Sequence, residues 1–544
     1  MKAIAAVACA TVAAFTFTTS AQAAPAPHAA VQVRADDAGI CDSAGLDQAL
    51  KDSKPGQLLA DPEDVTAASG LATGRLYRIA YATTGEAGTT VASCGLIAVP
   101  DAKSINGVIA WAHGTVGLKS ICQPSQNPAT FVGPMPSGIG APSKNVQQSD
   151  GALYNMLKDG YAVVATDYPS LGMVGGGLQK YVLGVTAGMA VIDSARVLTG
   201  SAAKFGLSPI AGNAQMPLVT WGHSQGGGSA LWAGQLAPKY LSAKGDQSLN
   251  LAGVAAEAPA TQFTTSPGQP DAYMGNHLGD RDMYNMDPGI KIGPFPVKFP
   301  IGVALFSYVT ASWSTISNGL AGEFPVGPTT KVNYASVLTP SGRLTAPVVA
   351  DLCLNKKGAP SILAAAAPYL KPDKVRFFAK PFGGSPDASG AWQGGIDTTC
   401  ASPGGQPQAI QDWCAWLQFN MPGPYGVNPY PKRPRANDGT KVPMYLAQGT
   451  NDRIIWCVDN QGAVQGANCL TDQYFHSLKD SYCDGTGHLQ VDYFPGDSHF
   501  DVPGSAATNP TNGSYNGSPL DTFVRGAMKG TLTPMCSVDP DATS

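Results

Sequence analysis

Apolar residues along the chain fall into two alternating patterns, short continuous runs and longer stretches with helical spacing. Leu76–Thr84 and Val91–Pro100 are β-rich runs joined by Gly85-Glu86-Ala87-Gly88, a hairpin signal. The run at 107–112 (Gly-Val-Ile-Ala-Trp-Ala) predicts a short buried strand, 148–159 a helix and 161–166 another strand. Val185, Met189, Ile192 and Val197 give 182–198 the spacing of a helix. A strand follows at 216–222, a helix at 225–240 and a strand at 250–256. From about 261 to 440 the rhythm stops, and helical patches such as 361–370 sit in Pro/Gly-rich chain. It resumes with a strand at 442–448, a helix at 470–479, a strand at 488–494 and a final helix at 518–529.

Strands alternating with helices predict an α/β fold, a mostly parallel sheet of eight strands with flanking helices. The interruption reads as a large cap inserted into it. The expected organisation is an N-terminal extension at 24–75, a core at 76–260 and 441–544, and the cap at 261–440. Ahead of these, Met1-Lys2, an uncharged Ala/Val/Phe-rich stretch to Phe17, and Ala21-Gln22-Ala23 form a secretory signal peptide at 1–23. The predicted location is extracellular.

Cysteine usage points the same way. Of 11 cysteines, Cys9 lies in the leader, and the even remainder in an exported chain reads as disulfides. No Cys-x-x-Cys or His-Glu-x-x-His spacing occurs, which argues against zinc, and no metal site is expected. Between Lys298 and Glu323 there is no charge, but Pro300, Ser307, Thr310 and Ser312 interrupt the apolar run, so it predicts a buried or lid-like segment and no integral membrane span. Only 13% of residues are charged, against roughly a quarter in an ordinary soluble domain. Gly 64 and Pro 44 together are far above average usage, yet 44% apolar content supports a large core. A net charge of −4 leaves no basic footprint for nucleic acid.

The strongest chemical signal is Gly222-His223-Ser224-Gln225-Gly226, a Gly-x-Ser-x-Gly after a predicted strand and before a predicted helix. That turn exposes Ser224 as a nucleophile at the strand's C-terminal end. A serine hydroxyl needs a positioned base, so an acid and then a histidine are expected after later strands. Asp452 follows the strand at 442–448, and His499 follows the strand at 488–494. His113, His277, His476 and His488 compete for the role of base, but none follows a late strand. Asp459 is the substitute for Asp452, while Asp497 and Asp501 read as solvated loop residues. The oxyanion hole is assigned to the amides of Gln225, directly after the nucleophile, and of Thr115, in the turn His113-Gly114-Thr115. His113 itself reads as a structural loop histidine. Asp167, ending a strand, reads as fixing the loop after it, and Tyr168 and Leu171 as pocket or core.

Taken together, Ala110-Trp111-Ala112-His113-Gly114-Thr115, Cys122-Gln123-Pro124-Ser125, Ala165-Thr166-Asp167-Tyr168, Gly222-His223-Ser224-Gln225-Gly226-Gly227, Gly449-Thr450-Asn451-Asp452 and Gly496-Asp497-Ser498-His499 resemble the secretory-lipase (lipase A-like) family of α/β-hydrolases. The resemblance implies carboxylic ester hydrolysis by a triad of Ser224, Asp452 and His499. It also implies a large cap ahead of the acid-bearing strand and a disulfide between the loop after the oxyanion turn and the cap, with Cys122 and Cys353 as candidates. The implied partner is a small-molecule or lipid ester, with no cofactor. The same triad could serve a lactonase or an acyltransferase, and a hydrolase scaffold could serve as a non-catalytic binding protein at the cell surface.

Overall fold

The computed structural model describes residues 39–537, apart from 132–151, 209–214, most of 265–298 and of 370–394, 458–469 and a few further positions. The leader expected at 1–23 therefore lies outside the described residues.

The described residues build one large sheet with strands β1 (Glu63–Asp64), β2 (Arg75–Thr84), β3 (Thr90–Val99), β4 (Val108–Ala112), β5 (Ala162–Thr166), β6 (Met216–His223), β7 (Leu249–Glu257), β8 (Met444–Gly449), β9 (His488–Phe494) and β10 (Met535–Ser537). Their spatial order is β1-β2-β3-β5-β4-β6-β7-β8-β9-β10. From β5 through β10 every pairing is parallel, and the hairpin β2–β3 joins antiparallel at one side. The sheet thus has ten strands where the sequence pattern predicts eight. The extra two, β1 and β10, are edge strands of two and three residues, too short to show any periodicity.

Central strands of a parallel sheet are covered on both faces and so read as unbroken apolar runs. All five residues of β4 are buried. On one face α2 (Gly184–Gly200) and α3 (Gln225–Ala243) pack against each other and against the even-numbered side chains of β4, among them Val108 and Ala110. On the other face Ile109, Trp111, Val219 and Trp221 meet α1 (Ala152–Lys158), α8 (Val502–Ala506) and α9 (Pro519–Lys529).

Between the paired strands β7 and β8 runs the insertion. Its α4 (Ile301–Trp313) lies in the uncharged stretch between Lys298 and Glu323 and forms a single buried helix after Pro300. It packs on α5 (Pro340–Ala350), and Trp313 stacks on Trp413 of α6 (Gln408–Phe419) with ring centroids 6.1 Å apart. Among the described residues no helix is long and apolar enough to cross a membrane.

Disulfides join Cys41–Cys94, Cys122–Cys353, Cys400–Cys414 and Cys483–Cys536, and Cys457 is disulfide-bonded as well. The Cys122–Cys353 bridge spans 231 residues and fastens the loop after β4 to the insertion. It is the pairing that the family resemblance implied.

Candidate active site

Ser224 stands between β6 and α3 with φ 59° and ψ −122°, a left-handed-side conformation that a non-glycine residue adopts only when its surroundings impose it. The constraint is backbone crowding. A Cβ on Gly226 would lie 1.9 Å from the carbonyl oxygen of Ala112, and one on Gly222 would lie 2.4 Å from that of Gly226. Only glycines let β4, β6 and the first turn of α3 come this close. The end of β7 holds the turn from outside. Ser224 N–H donates to Glu257 O (2.9 Å), and Ser224 O accepts from Ala260 N–H (3.0 Å).

The acid and the histidine are held by side chains. Asp452, three residues beyond β8, is fully buried. Its Oδ1 accepts the backbone N–H groups of Ile454 (2.8 Å) and Ile455 (2.9 Å). Its Oδ2 lies 2.7 Å from His499 Nδ1 and also accepts from Gln448 Nε2 (3.1 Å). Gln448 is in turn fixed by the Thr471 hydroxyl (2.9 Å), which comes from the start of α7 (Leu470–Tyr482). Facing a carboxylate, Nδ1 carries the imidazole proton and Nε2 keeps its lone pair.

A third connection runs between the two halves. His223 Nε2 lies 2.8 Å from the carbonyl oxygen of His499, and the two rings are 4.6 Å apart. A carbonyl can only accept, so His223 carries its proton on Nε2. Burial, reinforced by the neighbouring His499, holds its ring well below the usual imidazole range, so it stays neutral.

Gly114, Thr115, Ser224 and His499 line one pocket, whose remaining wall is largely apolar: Ile301 and Leu305 from α4, Leu354, Ile454 and Phe500. The pocket lies at the C-terminal ends of β4, β6, β8 and β9, where ligands of open α/β sheets bind. Gln225 is the buried first residue of α3, directly after Ser224. The turn after β4 is braced from behind, with Tyr168 O–H donating to His113 O (2.9 Å). His113 Nδ1 sits 2.6 Å from Gly114 O, and burial brings its ring down to about 4. Asp167 is buried and accepts Ser125 N–H (3.0 Å), which ties down the loop carrying Cys122; burial pushes its carboxyl up to about 6.

The other residues weighed from sequence fall elsewhere. His488 opens β9, with Nδ1 on Thr533 O. Asp501 accepts from Ser498 N–H and Oγ–H at the loop surface. Asp497, read as solvated, is half-buried, and desolvation raises its carboxyl pKa. His277, Asp459 and the His476 side chain lie outside the described residues.

The roles of Gln448, Thr471 and His223 escaped the sequence reading. Gln448 left a trace, as a polar residue inside the apolar strand Met444–Gly449, since a buried amide needs partners. The others left none.

The secretory lipase family model matches residues 138–271. No curated protein matches the sequence. Among solved structures, Candida antarctica lipase A in its closed state aligns at 13% identity over 90% of this chain and 86% of that one, with a TM-score of 0.52. A second structure of Candida antarctica lipase A aligns at 14% over the same shares, TM-score 0.51. The rice cell wall degrading esterase LipA from Xanthomonas oryzae aligns at 17% over 88% and 99%, TM-score 0.49. Over the stretch that carries β6, the turn at Ser224 and α3, the chain matches the secretory lipase family, and its fold is the α/β-hydrolase fold shared with the Candida antarctica lipase A structures.

Proposed function

We propose that the protein is a secreted serine hydrolase of carboxylic esters that works through an acyl-enzyme. The observation that carries this reading is the His499 Nδ1–Asp452 Oδ2 contact of 2.7 Å, buried beside a pocket that also holds Ser224 on its strained elbow. The family match over the elbow supports the same chemistry.

In this mechanism Ser224 Oγ attacks the ester carbonyl while His499 Nε2 takes its proton. Asp452 keeps the ring in the right tautomer and stabilises the imidazolium. The tetrahedral oxyanion is met by the amides of Thr115 and Gln225, the latter at a helix N-terminus that favours negative charge. His499 then protonates the departing alcohol, and water repeats the sequence on the acyl-enzyme. The insertion between β7 and β8 serves as the cap, and its residues Ile301, Leu305 and Leu354 give the pocket an apolar wall suited to an acyl or aryl group. The disulfides and the leader ending at Ala23 fit export.

Ser224→Ala should abolish p-nitrophenyl ester turnover, by about 10⁶-fold if the triad acts as a unit, and remove labelling by a fluorophosphonate. Full turnover in that variant would end the proposal.

A further inference from the structure

Behind the oxyanion turn lies a pair of hydroxyls that the mechanism has not used. Thr115 Oγ1 and Tyr181 Oη are 2.7 Å apart, and among the described residues neither hydroxyl has another partner. Thr115 opens onto the pocket, whereas Tyr181 is 5% exposed. Each hydroxyl owns one proton, and only one can occupy the bond between them. If Thr115 were the donor, the phenolic proton would be left buried without an acceptor, the expensive arrangement for a polar group. With Tyr181 as donor both requirements are met, and the Thr115 proton is free to turn into the pocket beside Ser224. Burial also raises the Tyr181 phenol well above its usual range, so it keeps its proton and remains a donor at any working pH.

Tyr181 is itself held rigidly. Its N–H donates to Ser312 Oγ (3.2 Å), and its carbonyl accepts from Trp313 Nε1 (2.7 Å), both on α4. Its ring meets Tyr308 of the same helix edge-on, with centroids 5.6 Å apart. The next residue, Val182, is bent into a positive φ of 48° on the way into α2. The α4 that fixes Tyr181 also supplies Ile301 and Leu305 to the pocket wall.

Building on the ester-hydrolase reading, we propose that Tyr181 is a positioning residue that turns the Thr115 hydroxyl toward the oxyanion as a third donor, so that α4 of the cap helps assemble the catalytic site. The hydroxyl contributes where charge develops on the carbonyl oxygen, and so acts on the transition state more than on substrate binding.

The test measures kcat and KM on p-nitrophenyl esters, together with the Ki of a trifluoromethyl ketone, which forms a tetrahedral adduct on the serine. Active enzyme is counted by fluorophosphonate titration. Thr115→Val keeps the backbone amide and should lower kcat about 100-fold, leave KM nearly unchanged and weaken the ketone in proportion. Thr115→Ser should restore most of the rate. Tyr181→Phe keeps the ring packing and should lower kcat roughly five- to tenfold, while the Thr115→Val/Tyr181→Phe double variant should match Thr115→Val alone. Should Thr115→Val not fold, the Tyr181→Phe effect on ketone affinity decides the question.

The proposal is overturned by a Thr115→Val enzyme with wild-type kcat, by additive losses in the double variant, or by Tyr181→Phe binding the ketone as tightly as wild type. Failure of the underlying reading would look different, because wild-type protein would then take up no fluorophosphonate.

Discussion

The elbow around Ser224 and the loops carrying Asp452 and His499 converge on one pocket, yet they are held by different chemistry. At the elbow, position comes from backbone close approach. Gly222 and Gly226 leave no room for a Cβ, and the strand ends of β4 and β7 clamp the turn. On the acid side, position comes from a relay of polar side chains, Thr471 to Gln448 to Asp452 to His499, drawn from three separate stretches of chain. Backbone crowding is unforgiving in shape and indifferent to pH. A side-chain relay tolerates small shape changes but depends on every donor and acceptor being matched. Substitutions in the two regions should therefore fail in different ways.

Among the groups that hold Ser224 and His499 in place, the largest effect is expected on the acid side. Asp452→Asn keeps a carbonyl oxygen for the Ile454 and Ile455 amides, so the fold should survive, but it no longer selects the correct His499 tautomer. kcat should fall by about 10⁴-fold with Tm little changed; a loss under tenfold would show that another acid serves. Gly226→Ala attacks the elbow. Its Cβ would sit 1.9 Å from Ala112 O, so the cost should be at least about 3 kcal/mol, read as a lower Tm and loss of Ser224 labelling. A variant with normal Tm would refute the crowding account.

Gln448→Leu should be milder. It removes one of the donors to Asp452 and leaves the Thr471 hydroxyl without its acceptor, costing roughly tenfold in kcat with KM unchanged. Equal losses in kcat and Tm would make Gln448 a packing residue instead.

The smallest effect concerns Glu257, whose backbone carbonyl holds Ser224 N–H while its side chain is buried below the elbow. Burial, partly offset by the neighbouring Trp221, pushes its carboxyl from 4.5 up to about 8. The folded state therefore holds a proton that the unfolded chain releases, so this group's contribution to stability falls as pH rises from about 4.5 to about 8. Glu257→Gln removes the proton linkage. The Tm advantage of the variant over wild type should widen by about 1–2 °C per pH unit across that window. A constant gap would mean that the carboxyl ionises normally.

Much of this architecture was legible beforehand, for reasons that differ from element to element. The central strands announced themselves because fully covered strands are nearly continuous apolar runs. Met444–Gly449, for example, is buried at all six positions. The edges β1 and β10 carry no such signal and became visible only through their pairing with β2 and β9. The elbow was legible because its constraint is local: glycines at fixed offsets, a strand before, a helix after. The loop residue Asp497 was misjudged as solvated because its burial depends on the fold of β8 and β9 around it, which composition does not report.

By itself, then, the sequence determined the succession of the longer strands and helices and the Ser224 elbow, since each is written in neighbouring residues through periodicity or steric permission. Tertiary structure alone decided the cysteine pairs Cys41–Cys94, Cys400–Cys414 and Cys483–Cys536. It alone brought His223 to the His499 carbonyl, Thr471 to Gln448 and Tyr181 to Thr115. These contacts join residues from 14 to 276 positions apart. Hydrogen bonds and disulfides act over a few ångströms of space, whatever the distance along the chain, so their partners exist only once the sheet has folded.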